Sequence, residues 1–225
     1  MYLLIKLVQV NVIIIPLLEY VAQVGKPIIL STGMNGIERI RKAVNIFRKY
    51  KISCAFLHCT SIYPKPPQPV RLAAIQQLIK EFSDAVVGLS DHIINNLACL
   101  GAVALGASIL KRHFTDRMDR PGPDIVCSMD PKALKELIEG SEILKLERGG
   151  EKGYVKEEQP TIDFAYASVV TIKDIMAGEE LNENNIWVKR LGTGEILAEH
   201  FKDLLGKKAV NNLSKDVQVN WTDFK

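Results

Sequence analysis

The chain has 225 residues, 47% of them apolar, enough to bury the core of one large domain or of a medium domain with a small one behind it. Its 29 basic and 26 acidic residues leave a net charge of +3, and aromatics make up only 7%. With no basic stripe interleaved with aromatics, that balance argues against nucleic acid as a partner.

Residues 1–18, MYLLIKLVQVNVIIIPLL, are apolar enough to suggest a signal peptide or membrane anchor. A charged leader and a small-residue cleavage site are both missing. Lys6, Gln9 and Asn11 interrupt the run, and Pro16 stands where a spanning helix would continue. A buried strand is the expectation, with no membrane association.

From residue 27 to 140, strand-length apolar runs alternate with amphipathic helical stretches. KPIILST predicts a strand, followed by a helix over 37–50. SCAFLHC predicts a second, then the proline-rich YPKPPQP and a helix over 70–82. AVVGLSD and a helix over 94–106 come next, then ASILKRHF, a charged loop and a helix over 130–139. Asp130-Pro131 fits an N-cap followed by proline at the first helical position. Four strand–helix units in series imply a parallel sheet with right-handed crossovers, covered by helices because the strands are apolar throughout. With residues 1–10 as a fifth strand, the chain carries part of an eight-stranded barrel. Residues 146–162 are charged and glycine-containing and read as a linker. After them FAYASVV, IWVKRLGTGE and KKAVNNLSKDVQV predict a small, mostly β domain. The four cysteines, Cys54, Cys59, Cys99 and Cys127, contain no CxxC pair and lie in apolar contexts. They read as reduced thiols of a cytoplasmic protein.

In a parallel βα sheet the C-terminal strand ends share one mouth. Here those ends carry Ser31-Thr32, His58 to Tyr63, Ser90-Asp91-His92 and His113 to Asp116, so three of the four histidines fall on one rim. His92 and His113 lie about one repeat apart, at equivalent depth on adjacent strands. Two imidazoles suit a divalent metal; the alternative is a polar rim of hydrogen-bonding histidines. His58 looks like a strand-interior residue. The hydroxyls of Ser31, Thr32, Thr60, Ser61 and Ser90 serve either phosphate binding or helix capping. In HFTDRMDRPGPD, residues 113–124, the aspartates Asp116, Asp119 and Asp124 either meet a polyol or pair with Arg117 and Arg120 as loop staples.

KPIILSTGMN, LHCTSIYP, VVGLSDH, KRHFTDRMDRPGPDIVCSMDP, LKLERGG and IWVKRLGTGE together resemble the sialic acid synthases, from about Pro16 to the C-terminus. The long HFTDRMDRPGPD match looks closer to the N-acetylneuraminate enzymes than to their legionaminate or pseudaminate relatives. The resemblance implies an α/β fold: a partial (β/α)8 TIM barrel, its C-terminal half, at 1–145, a linker at 146–162, and a small SAF, antifreeze-like domain at 163–225. It implies condensation of phosphoenolpyruvate with N-acetylmannosamine, a divalent metal (Mn2+, alternatively Mg2+ or Co2+) and a domain-swapped homodimer. Carried onto this chain, it assigns His92 and His113 to the metal and the chemistry, and Ser31 and Ser90 to phosphoenolpyruvate. Ser61 stands where the family often has asparagine. Tyr63 and Asp124 match residues that hold the amino sugar, and Arg190 matches the arginine placed in the partner's active site. Lys6 aligns with the phosphate-binding lysine of a KIGSGE stretch. The rest of that stretch departs, with Gln9 and Asn11 near the expected serine and glutamate. The expectation is therefore a truncated or frame-shifted start, and, as the alternative, a non-catalytic metal- and sugar-binding remnant or partner subunit.

Overall fold

The computed structural model describes residues 4–225, so the first three residues of the expected N-terminal strand lie outside the described residues. Two compact units divide the chain, the first ending at Gly150 and the second spanning Glu151–Lys225. Among the described residues no helix is long and apolar enough to cross a membrane.

In the first unit β1 (Ile5–Leu7), α1 (Ile15–Gln23), β2 (Ile28–Ser31), α2 (Ile37–Lys49), β3 (Cys54–Cys59), α3 (Ala73–Glu81), β4 (Val86–Ser90), α4 (Leu97–Ala104) and β5 (Ile109–Lys111) follow one another. The five strands form one parallel sheet in sequence order. Strand order equal to chain order belongs to a sheet wound in one direction, as in a barrel, and not to a doubly wound one.

Period-two alternation divides the sheet into two faces. Leu7, Ile28, Leu30, Phe56, Val87 and Leu89 pack with helix residues such as Leu18, Phe47, Ile75 and Phe82 into one core. The alternate residues, Lys6, Ser31, Cys59, Gly88, Ser90 and Lys111, therefore share the opposite face.

The N-terminal run folds differently from its expectation. The strand is only Ile5–Leu7, followed by a 3-10 turn at Gln9–Ile13 and by α1, which has Pro16 in its first turn. Asn11 Oδ1 accepts from Val8 N at 2.9 Å, which caps the turn and ends the strand. Proline near a helix start is favourable, because its missing N–H is unneeded there.

The last strand also differs. ASILKRHF breaks at Arg112; His113–Phe114 (β6) pairs instead, in parallel, with Ser128–Met129 (β7). The cause is that β4 ends at Ser90, opposite Lys111, so His113 has no partner on β4. Helix α5 (Pro131–Glu147) starts as expected, with Asp130 Oδ1 accepting from Ala133 N at 2.8 Å. It runs past Gly140, where a Cβ would stand 2.9 Å from Leu100 Cδ2, so this glycine admits α4 and does not end the helix.

The second unit opens with α6 (Gln159–Ala165), inside and just beyond the stretch read as linker. It then pairs β8 (Ala167–Thr171) antiparallel with β9 (Ile186–Arg190), and adds a short helix α7 (Phe201–Leu204). The expected strand within 207–219 contributes isolated bridges only, such as Val170 with Gln218 and Ile175 with Leu213. Its core is Val169, Ile175, Leu181, Ile186, Ile196, Leu204 and Val219.

Gly88 tests the packing of the sheet. A Cβ there would lie 2.1 Å from the Ile109 carbonyl oxygen and 2.7 Å from Leu57 Cδ2. Gly88→Ala is expected to destabilise the first unit by roughly 1–3 kcal/mol, the usual cost of overpacking. Urea unfolding followed by circular dichroism measures it, and an unchanged midpoint contradicts the packing described.

Candidate active site

The register sets Cys59 beside Ser90 and Ser90 beside Lys111, with Ser31 and Lys6 one and two strands further on. Because alternate residues share a face, two lysines and two serines line one surface just below the C-terminal rim. Ser31 and Ser90 are buried. Ser61 Oγ is buried beside the Cys59 thiol, to whose sulfur, a weak acceptor, it donates.

Above this layer three rings converge. Tyr63 and His92 have centroids 4.0 Å apart, His92 and His113 5.3 Å, and Tyr63 and His113 6.1 Å. His92 Nδ1 lies 3.4 Å from the Thr60 carbonyl, which favours the tautomer that donates there and leaves Nε2 with a lone pair. His113 Nδ1 lies 3.6 Å from Asp124 Oδ2, and its Nε2 lies 3.2 Å from Lys111 Nζ. An ammonium against that nitrogen marks it as a lone pair directed at a cation.

The electrostatics keep both rings neutral. Burial pushes the His92 imidazole down to about 4, with the Lys111 charge adding to it and the Thr60 carbonyl opposing. Burial and Lys111 also lower His113, with Asp124 opposing. Lys111 is itself lowered, first by burial and then by Lys6. Burial raises the Cys59 thiol, which is therefore no nucleophile.

Imidazole nitrogens bind divalent ions at about 2.1 Å, so rings sharing one ion have centroids roughly 4.5–5.5 Å apart. The 5.3 Å spacing of His92 and His113 fits. Among the described residues no group of three or more His, Cys, Asp or Glu is placed to hold an ion. What the rim offers an ion is therefore two neutral imidazoles, His92 and His113.

Other expected residues separate cleanly. Asp116 pairs with Arg120 at 2.5 Å and Asp119 with Arg117 at 3.3 Å, both as exposed loop staples, and only Asp124 reaches the rings. Thr32 Oγ1 donates to the Leu57 carbonyl and Thr60 Oγ1 to the Pro69 carbonyl, so both are structural ties. His58 lies on the helix face, its Nε2 2.7 Å from the Val70 carbonyl. Arg190 belongs to the second unit, where its exposed guanidinium lies 5.9 Å from the Phe164 ring centroid. Asn11 gives its side-chain oxygen to the Val8 amide, and no acidic residue precedes Glu19. Lys111 was missed by the sequence reading; its signal was its position two residues before His113, hence on the same side of the chain.

Comparison with known proteins places these residues in context. Residues 2–152 match the NeuB family and residues 166–225 the SAF domain. An uncharacterised protein of Methanocaldococcus jannaschii is 38% identical over 211 residues, covering 93% of this chain and 62% of its own length. The N,N'-diacetyllegionaminic acid synthase of Campylobacter jejuni is 38% identical over 206 residues, covering 90% and 61%. The crystal structure of the N-acetylneuraminic acid synthetase of Leptospira borgpetersenii superposes with a TM-score of 0.67 at 34% identity, over 71% of this chain and 56% of that one. The chain thus spans about three fifths of the length of these curated relatives. The curated N-acetylneuraminate-9-phosphate synthases are 29–30% identical, below the 38% of the legionaminate enzyme, so identity gives no support to the closeness to N-acetylneuraminate enzymes that the loop at 113–124 suggests.

The depressed His92 pKa has a consequence for stability. Its folded value of about 4 lies below the ordinary 6.5, so the unfolded chain binds more protons between the two. The contribution is complete above pH 6.5 and is lost as pH falls towards 4, by roughly 3 kcal/mol at most. Metal-free unfolding measured from pH 7.5 to 4.5 is expected to show a steeper decline for the native chain than for His92→Asn. Parallel curves contradict the burial and charge assigned to this ring.

Proposed function

The chain belongs to the NeuB family, and from that premise we propose that it serves the synthase reaction joining phosphoenolpyruvate to N-acetylmannosamine, giving N-acetylneuraminate and phosphate. The observation that supports this is the convergence of Tyr63, His92, His113 and Asp124 directly above a layer bearing Lys6, Ser31, Ser90 and Lys111.

Phosphoenolpyruvate carries a phosphate and a carboxylate, and the two lysines and the serine hydroxyls supply cations and donors at the depth where both groups fit. Ser61, its Oγ buried beside the Cys59 thiol, adds a shorter donor where the resemblance often places asparagine. Tyr63 and Asp124 hold the open-chain sugar against the rings. His92 and His113 would hold a divalent ion, Mn2+ or alternatively Mg2+ or Co2+, which when bound supplies a Lewis acid for the sugar aldehyde. The methylene carbon of phosphoenolpyruvate attacks the aldehyde carbon, forming the C–C bond and turning the carbonyl pair into an alkoxide, while positive charge builds on the neighbouring carbon that bears the phosphate. Lys111 and the serines keep the phosphate in place as water adds to that phosphate-bearing carbon and gives up its proton to the alkoxide; cleavage of the C–O bond there then releases phosphate and leaves the ketone. The work of these side chains is positioning and electrostatic, which is where most of the barrier reduction in such a condensation lies.

Arg190 is proposed to complete the site of a second subunit in a domain-swapped homodimer, closing on the carboxylate side. Asn11 stands near the place where the resemblance expects a glutamate, and its side-chain oxygen accepts from the Val8 amide.

The test is phosphate release with phosphoenolpyruvate, N-acetylmannosamine and Mn2+, with a di-N-acetylated sugar as competing acceptor. Release dependent on the sugar supports the proposal. Mn2+ binding with no release on either sugar would reduce the site to a non-catalytic binding role. Where turnover is measurable, Asp124→Asn is expected to raise the sugar KM roughly 10- to 100-fold, the worth of one hydrogen bond to a charged group, with a smaller change in kcat. An unchanged KM removes Asp124 from the acceptor site.

A further inference from the structure

Directly behind the three rings lies a buried ionic cluster that none of this chemistry uses. Lys65 Nζ stands 2.9 Å from Asp91 Oδ1, and Arg112 Nε stands 3.9 Å from Asp91 Oδ2. The three side chains are 0%, 0% and 1% exposed. Arg112 also donates to Asn96 Oδ1 at 2.6 Å and to the Ile93 carbonyl at 2.5 Å. Yet Lys65 Nζ, Asp91 Oδ1 and Arg112 Nε make no well-angled hydrogen bond among the described residues. Two cations and one anion are thus held out of water largely by charge. Such clusters contribute little net stability, and apolar residues of similar volume often do as well or better. Stability alone therefore does not account for this one.

Its place along the chain does. Asp91 sits between Ser90 and His92, Arg112 between Lys111 and His113, and Lys65 two residues after Tyr63. Alternation turns Asp91 and Arg112 to the back while their neighbours face the site. The Lys65 amide also donates to the His92 carbonyl at 3.1 Å, and the Asp91 amide to the Lys111 carbonyl at 2.9 Å. Each charge is therefore fixed within two residues of one of the rings.

We propose that Lys65, Asp91 and Arg112 form a positioning cluster that fixes Tyr63, His92 and His113 relative to one another. This rests on the reading of that rim as the active site. The three segments come from separate crossovers, joined across the rim only where strands β3 to β5 have already ended. A mutual charge lock behind them sets the ring spacing that an apolar filler, free to slide, does not set.

The experiment compares the native chain with Lys65→Met, Lys65→Arg and Asp91→Asn. The first readout is the nuclear Overhauser contact between the Tyr63 and His92 rings, and the second is Mn2+ affinity by electron paramagnetic resonance. The Met variant is expected to keep its circular dichroism but lose the ring contact and bind Mn2+ 10- to 100-fold more weakly, the usual effect of removing a residue that orients a ligand. The Arg variant is expected to restore both. If Lys65→Met does not fold, the isosteric Asp91→Asn carries the same comparison. A lower melting temperature with ring contact and Mn2+ affinity unchanged overturns the proposal and leaves the cluster purely structural. If the native chain binds no Mn2+, the metal reading fails, and the ring contact alone still decides whether the cluster positions.

Discussion

The pairing of β4 with β5 is the constraint on which the rest depends. Ser90 stands beside Lys111, and every functional relation at the rim follows from that register. Two residues further along the chain, past the ends of both strands, come His92 and His113, with ring centroids 5.3 Å apart. One residue on come Asp91 and Arg112, turned the other way and joined behind the rings. A slip by one residue would exchange the two sets, burying imidazoles among helices and exposing an ion pair to the site.

The electrostatic character of the site follows from the same geometry. The front face gathers Lys6 and Lys111 with two imidazoles held neutral, and a single carboxylate, Asp124, on the side of His113. That balance suits an anionic substrate beside a neutral polyol. The lysine ammonium against His113 Nε2 stands where the proposed cation would compete with it.

Much of this was legible in the sequence, for physical reasons that differ by element. Strands and helices from 27 to 140 announce themselves because the strands are largely buried and the helices turn one apolar face onto the sheet. That His92 and His113 share one rim was readable from the strand ends, whereas Asp124 was singled out from Asp116 and Asp119 only by the family resemblance. What was not readable depended on partners distant in sequence. The break at Arg112 is set by where β4 stops; the persistence of α5 through Gly140 is set by Leu100 on another helix. The N-terminal run, apolar but for Lys6, Gln9 and Asn11, concealed a strand, a turn and a helix, because so few polar positions leave periodicity little signal. Lys65 and Asp91 are twenty-odd residues apart and ordinary in composition, and only the fold shows that they meet.

The central claim is that His92 and His113 address one divalent cation. X-ray absorption at the metal edge of the Mn2+-loaded chain tests it most directly, by counting imidazole ligands. The account predicts two imidazoles in the native chain and one after His113→Ala. A shell of oxygen ligands alone, unchanged by the substitution, would contradict it.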